Sequence, residues 1–111
     1  SDILLVLTPI DLGIRVRIIT GFSYGSCVVT HKANVEGIPE IIHKYNALVS
    51  ESGYGLAQEV ITALENNELR YILGKNARKT YENYFSEEVA GGRIVKEVEA
   101  MAMNIKMEKH R

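Results

Sequence analysis

The residues with the clearest chemical potential lie between positions 13 and 40, where a helix-period segment, a β-branched run and a Gly/Pro loop follow one another. Gly13 would let a ligand approach the backbone closely, and the free N–H groups of a helix that begins there favour an anion. Arg15, in the first turn, could reach a phosphate or a carboxylate. The residues alone favour a plainer alternative, in which Arg15 and Arg17 form a solvated helix face.

The glutamates, histidines and cysteine of the chain do not form a recognisable catalytic or metal-binding pattern. Glu36 and Glu40 lie close in sequence, but their spacing does not support general acid–base work. The three histidines show no metal-ligand spacing with Cys27 or with the carboxylates, so no metal is expected. Cys27 lies inside a strand-like run with no assignable base, which predicts a packed thiol rather than a nucleophile.

Three short apolar runs predict a parallel sheet. The first covers residues 3–7, beginning at Ile3 and ending at Leu7, and its continuous apolarity is typical of a strand covered on both faces. The other two cover residues 27–30 and 47–49. Because helical segments alternate with them, the fold class is α/β, with about three parallel strands flanked by helices. A strand so close to the start of the sequence suggests a missing neighbour.

Apolar spacing predicts the helices. Residues 13–24 place Ile14, Ile18 and Phe22 on one face and end at Gly25, a natural C′ residue. A short helical turn is expected at residues 40–43, after a loop at 31–39. Three more helices follow, one capped by Ser50 or Ser52, one over residues 68–84, and a last one from residue 86. The apolar residues predicted to face inward are Leu56, Val60, Ala63, Leu64, Leu69, Ile72, Leu73 and Ala77. The tyrosines predicted to pack helix against helix are Tyr71, Tyr81 and Tyr84.

Length, charge and cysteine content limit the number of domains, the classes of partner and the cellular compartment. With 111 residues the chain holds one small domain, and a formal net charge of -1 gives no electrostatic case for nucleic acid or an anionic membrane. No apolar run reaches membrane-spanning length, and no signal peptide is visible. A single cysteine excludes an intramolecular disulfide, and a reduced thiol indicates a cytoplasmic protein.

The amino-acid sequences of several segments resemble those of a known family. SDILLVLTP, GIRVRIITGFSYGSCVVT, NVEGI, YNALV and LGKNAR occur in the order and spacing found in group 1 glycosyltransferases of the GT-B fold. The resemblance covers the C-terminal half of their nucleotide-sugar-binding domain. It implies one incomplete Rossmann-like domain over residues 1–111, with residues 86–111 as a C-terminal helix and tail.

The resemblance also implies a donor site. Its residues would be Gly13, Ile14, Arg15, Val16, Thr20, Glu36 and Gly37, with a nucleotide-diphosphate sugar as substrate and no metal or cofactor. The family carries two glutamates seven residues apart, and these positions fall on Leu12 and Thr20. No catalytic residue is therefore assigned. The Thr20 hydroxyl could make one hydrogen bond to a ribose, where a carboxylate would accept two charge-assisted ones.

Two functions remain open. The chain could be a glycosyltransferase fragment, of the retaining type by resemblance, that holds the donor but does not turn over alone. It could instead be a degenerate, non-catalytic module that docks on the missing half of the transferase, or on a second copy, through the edge strand at residues 3–7.

Overall fold

The computed structural model describes residues 2–6 and 12–87, which form a three-stranded parallel sheet flanked by helices. The elements are β1 (Ile3–Val6), α1 (Leu12–Ser23), β2 (Cys27–His31), α2 (Ala33–Gly37), β3 (Ala47–Ser50), α3 (Gly53–Glu65), α4 (Asn67–Thr80) and a π-helix (Tyr81–Phe85). This confirms the predicted α/β class, compatible with a partial Rossmann-like fold. Most of the helix predicted from residue 86, together with Leu7 and His110, lies outside the described residues.

The sheet has the order β1-β2-β3, with Leu4 opposite Val28 and Val28 opposite Ala47. In central β2, residues 27–30 are all buried. Val28 enters one apolar cluster, and Cys27 and Val29 enter a separate cluster on the opposite face. One cluster contains the inner face of α1, and the other contains residues of α3 and α4. In β1, however, Leu5 is 38% exposed, so the prediction that this strand is covered on both faces is wrong there.

Helix α1 matches its prediction closely. Ile14, Ile18 and Phe22 are buried on one face. The helix is closed by Gly25, whose φ of 68° places it in the left-handed region. The Gly25 N–H donates to the Phe22 carbonyl at 3.1 Å, and the Ser26 N–H donates to the Gly21 carbonyl at 2.9 Å. These two bonds form the Schellman motif that glycine at C′ favours.

The short helical turn predicted at residues 40–43 is wrong, because the turn lies earlier, as α2. There the buried Asn34 donates from Nδ2 to Thr30 Oγ1 at 2.8 Å, tying the first turn of α2 to the end of β2. Residues 40–46 are irregular because the Asn46 side chain bonds their backbone: Oδ1 accepts the Ile42 N–H at 2.8 Å, and Nδ2 donates to the Glu40 carbonyl at 2.9 Å. Such bonds compete with helix formation.

Helices α3 and α4 use narrower apolar faces than predicted. Leu56, Ala63, Leu73 and Ala77 are buried as expected, and Val60, Leu69 and Tyr81 are partly buried. Leu64 follows Ala63 by one position, a rotation of about 100°, which turns it away from the sheet. Ser52 caps α3 by accepting the Gly55 N–H at 2.9 Å. The exposed side chains that were predicted to pack are Leu64, Tyr71, Ile72 and Tyr84.

Candidate functional site

The candidate site lies at the carboxyl edge of the sheet, where β1 ends at Val6, β2 at His31 and β3 at Ser50. Helix α1 begins at Leu12, six residues after β1 ends, and α3 begins directly after Ser52. In open parallel sheets this edge, with the amino ends of the following helices, is where ligands bind. The predicted site residues therefore follow the strands in the expected order.

A hydrogen bond joins two parts of the predicted donor site. Arg15 Nη1 donates to the carbonyl oxygen of Gly37 at 3.1 Å, although the two residues are 22 positions apart. This bond ties the Arg15 side chain, in the first turn of α1, to the end of α2, where Glu36 and Gly37 are exposed. Sequence order alone could not establish this juxtaposition.

Two further predicted residues have core positions. Ile14 and Val16 are buried within the apolar cluster that lies under α1. Their side chains anchor the helix, so only their backbone is placed to meet a ligand. This restricts their contribution to their backbone at the amino end of α1, where the positive end of the helix dipole favours an anion.

Thr20 lies apart from Glu36. Thr20 is half-buried and lines a groove of about 480 Å³ between β1 and α1, called here the β1 groove, whose lining includes Leu4, Val16 and Gly21. Glu36 lines a different groove of about 440 Å³, called here the α2 groove, with Val35, Ile41 and Val49. The structure therefore does not bring all seven predicted residues to one surface.

The α2 groove contains polar residues that the sequence prediction missed. Lys32 and His43 line it beside Glu36. His43 Nδ1 accepts the Val49 N–H at 2.9 Å, which leaves Nε2 as the protonated nitrogen of a neutral ring. The signal available for Lys32 was its position directly after β2. His43 precedes β3, so the order of the elements gave no signal for it.

His31, at the end of β2, has a structural role. Its Nδ1 accepts the Ala33 N–H at 3.0 Å, so its Nε2–H donates to the Glu51 carbonyl at 3.1 Å. The ring thereby ties the start of α2 to the segment between β3 and α3. This bridge fixes the relative positions of two loops at the carboxyl edge.

Cys27 is a packed thiol, as predicted, in the apolar cluster beneath α3 and α4. Burial raises the pKa of the Cys27 thiol above its ordinary value of 9.0, and the positive charge of Arg70 offsets part of that effect. A thiol held in its neutral form is a poor nucleophile. Within residues 2–6 and 12–87, no group of three His, Cys, Asp or Glu side chains is placed to hold a metal ion.

Comparisons of the chain with protein-family models, curated proteins and solved structures give no match. No helix among the described residues is long and apolar enough to span a membrane. Function is therefore argued from the geometry of the carboxyl edge and from the segments quoted above.

Proposed function

We propose that this chain supplies part of the donor-nucleotide site of a sugar-nucleotide-dependent glycosyltransferase. The observation that carries the proposal is the bond from Arg15 Nη1 to the Gly37 carbonyl. It joins the GIRVR and NVEGI segments, the two parts of the resemblance that would contact a donor. Both lie at the edge where parallel sheets bind nucleotides.

The chemistry suits a diphosphate. The amino end of α1 carries the positive end of the helix dipole, which favours a bound anion. Arg15 adds a guanidinium, whose planar donors match phosphate oxygens. On the other side, the exposed Glu36 carboxylate can accept hydrogen bonds from ribose hydroxyls. Thr20 would contribute only to a donor that also reaches the β1 groove.

The proposal concerns binding and assigns no catalytic residue. The two positions that carry family glutamates are Leu12 and Thr20 here, so neither offers a carboxylate. A binding site of this kind needs no metal or cofactor, because Arg15 and the α1 dipole supply positive charge. Turnover would require residues outside this chain.

A cytoplasmic location is part of the same proposal, since the buried Cys27 is a free thiol.

A second candidate is an interaction module, favoured by the exposed edge of the sheet. In the described sheet β1 pairs only with β2, and Leu5 on β1 is partly exposed. The β1 groove beside it is lined by Ile3, Leu4 and Val16. An apolar edge strand is a template for pairing, so the missing half of a transferase or a second copy would fit there.

Two experiments test these candidates. Saturation-transfer NMR with UDP- and GDP-sugars should show transfer to the nucleotide. No transfer at millimolar donor would remove donor binding as a property of this chain. For the second candidate, sedimentation should show association that increases with concentration, and a clean monomer at high concentration would count against self-association through β1.

A further inference from the structure

A second polar cavity lies away from the carboxyl-edge site, between residues 39–46 and the end of α4. It has a volume of about 550 Å³, and we call it the α4 cavity. Its lining includes one carboxylate, one ammonium, two amides and two phenol rings, contributed by Glu40, Lys79, Asn46, Asn83, Tyr45 and Tyr84. None of these residues belongs to the proposed donor site.

The walls of the α4 cavity are held together by Asn46, which is fully buried. Its Nδ2 donates to the Glu40 carbonyl and to Thr80 Oγ1, each at 2.9 Å. Its Oδ1 accepts the Ile42 N–H at 2.8 Å. One side chain thus connects the loop wall to the helix wall. The cavity is therefore pre-formed, which is typical of small-molecule sites.

Glu40 contributes a carboxylate to the lining of the α4 cavity. Its Oε2 is buried, and no hydrogen-bond donor of the described residues lies within reach of it. A buried carboxylate oxygen without a hydrogen-bond partner is costly. A ligand that contacts the Glu40 carboxylate must donate hydrogen bonds to it.

The π-helix shapes the helix wall. Phe85 is buried against Phe22, with ring centroids 6.5 Å apart, while Asn83 and Tyr84 of the same π-helix line the α4 cavity. Lys79 and Asn83 are four residues apart, so both lie on the cavity side. Single π-helical turns occur frequently at functional sites.

From this lining we propose that the α4 cavity binds a neutral saccharide. A carboxylate only accepts hydrogen bonds, an ammonium only donates them, and an amide does both. A hydroxyl group donates and accepts, so a polyhydroxyl ligand satisfies Glu40, Lys79 and Asn83 with one kind of group. The opposite charges of Glu40 and Lys79 cancel, which selects against a net cation or anion. Tyr45 and Tyr84 offer exposed rings for the apolar C–H faces of a sugar.

The test is a protein-observed NMR titration with free glucose, galactose and mannose. The saccharide should shift the Asn83 and Tyr84 amides and leave those of Gly13 and Arg15 unchanged, which separates this site from the donor site. Glu40→Gln and Tyr84→Ala should each weaken binding about tenfold. Tyr71→Ala is the matched control, since Tyr71 is 65% and Tyr84 66% exposed, and Tyr71 is absent from the lining of the α4 cavity.

Three outcomes would overturn the proposal. The first is no shift at Asn83 or Tyr84 with any of the sugars at millimolar concentration. The second is an equal loss of affinity in Tyr71→Ala and Tyr84→Ala. The third is tighter binding of tetramethylammonium or acetate than of every hexose, which would mean that charge rather than hydroxyl groups selects the ligand.

Discussion

Arg15 in the first turn of α1 holds the carbonyl of Gly37 at the end of α2, with Nη1 to oxygen at 3.1 Å. Because α2 is only five residues long, this contact helps to fix where Glu36 and Gly37 lie relative to the amino end of α1. The pair therefore defines the geometry that the donor proposal uses. Both residues were predicted to belong to one site.

Replacing Arg15 tests its role in binding. Arg15→Ala should weaken UDP binding about tenfold, because it removes a charged donor next to the expected diphosphate. The contact is exposed, so the free energy of unfolding should fall by less than about 1.5 kcal/mol. Arg17→Ala is the matched control, with the same charge removed from the same helix. Equal loss of affinity in both variants would show that general charge, not Arg15, attracts the nucleotide.

Gly74 allows α4 to approach the turn after α1. A Cβ added at Gly74 would lie 2.1 Å from the carbonyl oxygen of Gly25. Gly74→Ala should therefore destabilise the fold by about 2 kcal/mol or more, despite the better helix propensity of alanine. Urea denaturation measures this. Gly53→Ala is the control, because nothing lies within 4 Å of its added Cβ, and it should be neutral or stabilising. Comparable stability of the two variants would contradict the packing described.

Asn46 stabilises the loop before β3 through three hydrogen bonds. Asn46→Ala should lower the free energy of unfolding by about 2–4 kcal/mol, because the Ile42 N–H and the Glu40 carbonyl lose their partner. Asn76→Ala removes a single exposed bond to the Tyr45 carbonyl and should cost about 1 kcal/mol. Thermal or urea unfolding compares them. A smaller effect at Asn46 than at Asn76 would be inconsistent with this role.

Cys27 should make stability depend on alkaline pH. Because burial raises the pKa of the thiol in the folded state, the unfolded chain loses this proton first as pH increases. The contribution is present below the ordinary pKa of 9.0 and is lost as pH rises through the higher folded value. The pH-dependent contribution of Cys27 to the free energy of unfolding is measured by comparing unfolding curves of the wild type and Cys27→Ala from neutral pH to above 9. A difference between the two that does not change with pH would refute the linkage.

Much of the fold could be predicted because it depends on local signals. The spacing of Ile14, Ile18 and Phe22 predicted the face of α1, and Gly25 predicted its end. Ser50 or Ser52 was the predicted cap of α3, and Ser52 is the one that caps it. The apolar run around Val28 predicted the central strand. Each of these is decided within one or two turns of chain.

The errors arise where side-chain hydrogen bonds or tertiary packing, rather than apolar periodicity, decide the structure. The short helix was placed after Pro39 rather than before it, because the bonds of Asn34 and Asn46 to their neighbours leave no periodic pattern. Ile72 and Tyr84 fit a helical stripe, but α4 and the π-helix bury a narrower face, which leaves both side chains exposed. The bond between Arg15 and Gly37 spans 22 residues, so only the folded chain reveals it.

The most direct test of the donor proposal is a titration of the ¹⁵N-labelled protein with UDP-glucose. The amide signals of Gly13 and Arg15 should shift together with those of Glu36 and Gly37, with one common affinity, and Arg15→Ala should weaken all four. No shift at these amides at millimolar UDP-glucose, or shifts confined to Asn83 and Tyr84, would contradict the assignment of the donor site to the carboxyl edge.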